Sequence, residues 1–201
     1  MLKRAGLALL AVLCFSWQGP ADLRAQDGIV FDFHLGYKSM SGDLGQILDG
    51  GVVGEFDFSY QKNAFRYGVA INLVSIDIVP PYDSLSVSQV LASGVVTWLV
   101  LPKSSLTPYG ELRLGIVRYR PEGEAFGEPP AEGENPGSSV NGLDVTGVVG
   151  LEYFLTEKFG LDLSGAFSFI TTDEVDLSAI GLEPVGRGTA WSVRLGATWR
   201  P

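Results

Sequence analysis

The chain has 201 residues, 14 Lys and Arg against 23 Asp and Glu, one His and one Cys, for a net charge of −9. This length suits one domain. The acidity argues against a nucleic-acid partner, which needs basic patches, and a single His with a single Cys leaves no Cys/His metal site.

The N-terminus reads as an export signal. "MLKR" is a basic start, "AGLALLAVLCFSW" is an apolar stretch of 13 residues, and "QGPADLRAQD" offers a cut after Ala25. The stretch is too short to span a bilayer. Cys14 lies inside it, preceded by Leu13, which does not fit a lipidation box. The expected organisation is a cleaved signal over 1–25 and a single domain over 26–201. The cut removes Lys3, Arg4, Arg24 and Asp22 and takes the net charge from −9 to −11. It also removes the only cysteine, so an exported chain without disulfides must rely on a core or a closed sheet.

From there the sequence alternates with a period of two, the mark of strands with one apolar and one polar face. "IVFDFHLGYK" sets Ile29, Phe31, Phe33, Leu35 and Tyr37 against Asp32, His34, Gly36 and Lys38. "VVGEFDFSYQ" sets Val52, Phe56, Phe58 and Tyr60 against Glu55, Asp57, Ser59 and Gln61. "FRYGVAINL" sets Phe65, Tyr67, Val69, Ile71 and Leu73 against Arg66, Gly68, Ala70 and Asn72. The fourth segment, "QVLASGVVTWLV", is apolar on both faces apart from Gln89, Ser93 and Thr97.

"PYGELRLGIVRY" then opposes Leu112, Leu114 and Ile116 to Glu111, Arg113 and Gly115. "NGLDVTGVVGLEYF" opposes Leu143, Val145, Val149, Leu151 and Tyr153 to Asp144, Thr146, Gly150 and Glu152. "FGLDLSGAFSF" opposes Phe159, Leu161, Leu163, Phe167 and Phe169 to Asp162, Ser164, Ala166 and Ser168. In the last segment Trp191, Val193, Leu195, Ala197 and Trp199 face away from Ser192, Arg194, Gly196 and Thr198. No segment has a helical period. The fold class is all-β, an eight-stranded antiparallel up-and-down barrel.

Short links ("QKNA", "LPKSSLTP", "LTEK") alternate with long ones, "SMSGDLGQILDG", "DIVPPYDSLSVS", "RPEGEAFGEPPAEGENPGSS" and "TTDEVDLSAIGLEPVGR". In an up-and-down meander all long loops fall at one end, as in transmembrane barrels. A soluble lipocalin-like barrel also alternates, with its apolar face inward. Against it stands a polar face made mostly of Gly, Ser, Ala and Thr, which suits a narrow interior. The aromatics also gather towards strand ends: Tyr37, Tyr60, Phe65, Trp98, Tyr153, Trp191 and Trp199 are the expected lipid-interface set. The polar faces then form an interior charge network of Asp32, Glu55, Asp57, Arg66, Glu111, Arg113, Asp144, Glu152, Asp162 and Arg194. Which acid meets which arginine depends on the shear and is left open.

The signal peptide, "GVVGLEYFLTEKFGLDLSGAFSF", "TPYGELRLG" and a last strand ending in an aromatic together resemble the small eight-stranded outer-membrane barrels of the OmpA transmembrane-domain and OmpX type. The resemblance covers nearly the whole mature chain and rests on pattern rather than on a fixed motif. It implies a porin-like outer-membrane protein of a Gram-negative envelope, with short periplasmic turns and long acidic extracellular loops. It also implies an interior ion-pair network and insertion by the barrel-assembly machinery through the terminal aromatic. Here Arg200 and Pro201 follow Trp199, a departure from the family pattern. No peptidoglycan-binding domain is expected after the barrel.

The expected role is structural, in envelope integrity or surface interaction, with outer-membrane lipid and lipopolysaccharide as partners and a monomeric state. The alternative is a narrow channel for ions or small hydrophobic molecules. No enzyme activity and no cofactor are expected: His34, the only histidine, lacks a serine in a family-like setting and reads as a lumen residue. The segment "PEGEAFGEPPAEGENPG" packs five Glu, four Pro and four Gly into 17 residues and reads as a solvated loop, as does "DEVD" at Asp173–Asp176. Arg118 and Arg120, near the outer rim, are placed to meet lipopolysaccharide phosphates.

Overall fold

The computed structural model describes residues 27–46, 48–78, 86–122, 140–175 and 185–201. The leader, almost all of the Glu-rich segment and the end of the "DEVD" stretch lie outside them. Eight strands follow one another: β1 (Gly28–Ser41), β2 (Leu48–Lys62), β3 (Phe65–Ile78), β4 (Ser86–Leu99), β5 (Leu106–Glu122), β6 (Val140–Phe154), β7 (Phe159–Val175) and β8 (Val185–Trp199). Each pairs antiparallel with its neighbours in sequence, and β8 pairs with β1, closing the barrel.

The registers fix the stagger that sequence left open. Starting at Phe31, the partners run through Phe58, Val69, Gly94, Leu114, Val145, Phe169 and Thr189 and return to β1 at Ser41, ten residues further along. A stagger of ten over eight strands, at about 3.3 Å per residue and about 4.8 Å between strands, tilts the strands by about 40°.

The faces are inverted relative to a soluble barrel. Leu35, Phe56, Leu114, Val149, Phe169 and Leu195 are 53–70% exposed on the outside. Glu55, Arg66, Arg113, Asp144, Glu152 and Arg194 are 0–3% exposed on the inside. A belt of large apolar side chains around a charged interior is the arrangement of a barrel whose solvent is lipid, so the lipocalin-like alternative is set aside.

The strands run further than the alternation suggested. The first long link shrinks to residues 42–47, with one 3-10 turn at Leu44–Gln46, and β5 and β7 extend to Glu122 and Val175. The short links fold as tight turns. Asn63 takes a left-handed φ of 56° between β2 and β3, and its N–H donates to Asp27 Oδ1 at 2.8 Å. Thr156 Oγ1 accepts from the N–H of Phe159 at 3.0 Å in the β6–β7 turn.

Candidate functional site: the filled lumen

Inward positions from all eight strands meet on the axis in three layers. At the short-turn end, Arg66 forms a two-pronged bridge with Glu152 (Nη2–Oε2, 2.6 Å) and donates from Nε to Gln61 Oε1 at 3.0 Å. Arg200 lies beneath, 3.8 Å over the Phe154 ring and 3.7 Å from Glu152. Phe154 and Leu99, both buried, complete this floor.

Glu55 is the hub of the middle layer. Arg194 Nη1 donates to Glu55 Oε1 at 2.6 Å, and Arg113 reaches both of its oxygens, at 2.6 and 2.9 Å. The same Arg113 holds Asp57 at 2.9 Å and bonds Glu111, which also accepts from Thr97 Oγ1 at 2.7 Å. His34 bridges Asp162 (Nε2–Oδ1, 2.9 Å) and Glu55 (Nδ1–Oε1, 3.2 Å). Asp32 stands opposite Asp57 in the register and 3.8 Å from Arg66. Such a network is tolerated because its buried charges, Asp32 excepted, find an opposite one at hydrogen-bond range.

Above it, Lys38 donates to Gln89 Oε1 at 3.1 Å, while Asp144 accepts from Thr146, itself 2.6 Å from Ser168. The loop end is apolar. Met40, Leu48, Val74, Ile76, Leu91 and Val117 point inward and are buried, and Leu44 of the 3-10 turn folds over Gly188. Charge thus reaches the short-turn end and is covered by apolar side chains at the loop end.

Of the ten residues expected in the interior, the structure places nine in or against the arginine-centred network. Asp144 stands apart with Thr146. His34, Lys38, Gln61, Gln89 and Arg200 were not among the ten. The first four sit on polar faces legible in the sequence, whereas Arg200 follows the last strand and left no periodic signal. Two glycines make room for bulky interior rings: a Cβ on Gly196 would lie 2.2 Å from His34 Cδ2, and one on Gly150 would lie 2.3 Å from Tyr109 Cζ.

His34, Glu55 and Asp57 offer ligand atoms within 4.8 Å of one another. Glu55 already spends both oxygens on Arg113 and Arg194, so guanidinium groups occupy the place a cation would take.

The seven aromatics expected at the lipid interface are all on the outer surface. Tyr60, Phe65, Trp98, Tyr153 and Trp199 ring the short-turn end, with Phe159 beside them. Tyr37 and Trp191 mark the loop end on the adjoining β1 and β8, where Phe167 faces Trp191 across the β7–β8 register. Around β3 to β6 the same level carries Leu73, Val90, Ile116 and Leu143.

No protein-family model and no curated protein matches the chain. Solved structures do. Neisserial surface protein A superposes with a TM-score of 0.63 at 17% identity, covering 87% of this chain and 97% of that one. The outer membrane protein OprG of Pseudomonas aeruginosa gives 0.52 at 15% identity, covering 88% and 97%. The chain has the fold of the small eight-stranded outer-membrane barrels.

Proposed function

We propose that this chain is an integral, monomeric outer-membrane barrel with a structural, non-enzymatic role, and that it carries its loops at the cell surface. The observation that carries the reading is the filled lumen. Ion pairs tie β1, β2, β5, β7 and β8 across the axis at Glu55 and His34, and an apolar layer caps the loop end. A lumen of eight strands is just wide enough for side chains to fill.

Insertion by the barrel-assembly machinery and contact with lipopolysaccharide belong to the same reading. Arg118 and Arg120 are exposed on β5 directly above Ile116 and the apolar belt, where arginine pairs well with phosphate. Their replacement by Gln is expected to reduce co-purifying lipopolysaccharide.

The test of the role is single-channel recording in planar bilayers. A sealed structural barrel gives no steps above the lipid background, whereas discrete conductance would mean that the network opens and the channel alternative is right. One observation favours a variant of that alternative: the inward apolar set at the loop end, Leu91 and Val53 included, suits a small hydrophobic solute. Uptake of such solutes into vesicles with and without the protein separates the two.

A further inference from the structure

A groove of about 430 Å³ crosses the outer surface of β8, β1, β2 and β3. Two rungs of register partners wall it. The lower rung runs from Trp199 through Phe31 and Phe58 to Val69, and the upper from Ala197 through Phe33 and Phe56 to Ile71. Phe31 stacks on Trp199 at 5.4 Å and meets Phe58 edge-on at 5.3 Å, so the lower wall is a continuous aromatic ledge. The hollow exists because Ala197 stands where its outward neighbours on β8 are Leu195 and Trp199.

Direction and charge identify the occupant. The rungs run perpendicular to strands tilted by about 40°, so the groove climbs obliquely through the belt. It begins at Trp199, among the interface aromatics of the short-turn end, and finishes at Ile71 in mid-belt. A linear hydrocarbon entering from that interface follows this path. Beside the mouth, the Arg200 N–H donates to the Lys158 carbonyl at 2.7 Å, which brings the exposed Lys158 next to the groove's start. A cation at headgroup level and an apolar slot leading inward match a phosphate attached to an acyl chain.

We infer that the groove seats one acyl chain of a phospholipid from the leaflet on the short-turn side, with its phosphate on Lys158. The inference rests on the membrane-spanning reading above. Lipopolysaccharide is the wrong occupant by position, since the rim arginines that suit it lie at the opposite end of the barrel. A second copy of the chain is disfavoured because the slot is narrow and concave whereas the outward face is convex.

The test uses the mature barrel, from Gln26 on, in two single-tryptophan forms: Trp98→Phe with Trp191→Phe, leaving Trp199, and Trp98→Phe with Trp199→Phe, leaving Trp191. Phosphatidylglycerol brominated on its acyl chains is titrated into each in detergent. Quenching of Trp199 is expected to saturate at one lipid per barrel, at a lipid fraction at least about tenfold below that needed for Trp191. Ala197→Phe, which fills the slot with another apolar group, should return Trp199 to the Trp191 curve, and Lys158→Glu should weaken the saturable phase. A cold-gel shift checks that each variant is folded.

Equal curves for the two tryptophans, or a saturable phase that survives Ala197→Phe, would overturn the groove while leaving the membrane reading intact. So would quenching that lipopolysaccharide but not phosphatidylglycerol displaces, or protection of Trp199 that grows with protein concentration. Absence of quenching at both tryptophans would overturn the membrane reading itself.

Discussion

At the scale of single residues, Glu55 is the position on which the interior turns. It is fully buried and meets Arg113, Arg194 and His34. Removing one partner of a buried pair costs about 3–5 kcal/mol, chiefly because the other charge is stranded. Glu55→Ala strands the Arg194 guanidinium, while Arg113 keeps Asp57 and Glu111, and is expected to cost that amount. Arg194→Ala leaves Glu55 still held by Arg113 and should cost less, about 1–3 kcal/mol. The double variant should then fall short of the sum. Urea unfolding of the barrel in lipid vesicles measures all three, and variants as stable as the parent would show that the hub contributes nothing. Arg194 also shows what sequence conveyed about the site. Its inward direction followed from lying between Val193 and Leu195, but its partner did not, because Glu55 is 139 positions away and reaches it only through the stagger of the closed sheet.

At the scale of strands, Leu195 is the counterpart of Arg194. It is 64% exposed in the middle of the β8 belt. An arginine there faces hydrocarbon, at about 2–4 kcal/mol, so Leu195→Arg is expected to lower the fraction that inserts. Leu195→Ile should insert normally. The measurement is the protease-resistant, membrane-bound fraction after refolding into vesicles, and equal fractions would mean that this face does not meet lipid.

Strand identity and facing were legible because the lipid belt imposes alternation; strand length was not, and the reason is physical. Above the belt the outside meets water and the inside becomes greasy, so hydrophobicity changes faces. On β3, Val74 and Ile76 turn inward while Ser75 and Asp77 are exposed, and on β1 Met40 is buried beyond Lys38. The reversal reads in sequence as the end of a strand. The blurred β4 has the same origin, with Leu91, Val95 and Leu99 inward beside Gln89 and Thr97. Met40, Val74, Ile76, Val87 and Val117 therefore form an upper apolar layer that sequence reasoning assigned to no site.

For the whole molecule, pairing of β8 with β1 leaves no free edge, and unravelling requires breaking two ladders together with the ion pairs that cross the axis. The folded chain is expected to resist SDS in the cold and to run faster unboiled than boiled. A single unshifted band from protein that stays soluble without detergent would contradict both the closure and the orientation of the faces.

The loop-end aromatics cluster on one flank, at Tyr37, Trp191 and Phe167, while the described residues of the opposite flank present aliphatic side chains at that depth. Indole and phenol rings pin the headgroup boundary, whereas aliphatic groups let it slide. The molecule therefore has a fixed side and a compliant side. In a thicker or thinner bilayer it would lean about its β7–β8–β1 flank instead of rising or sinking as a whole, and its loops would turn with it.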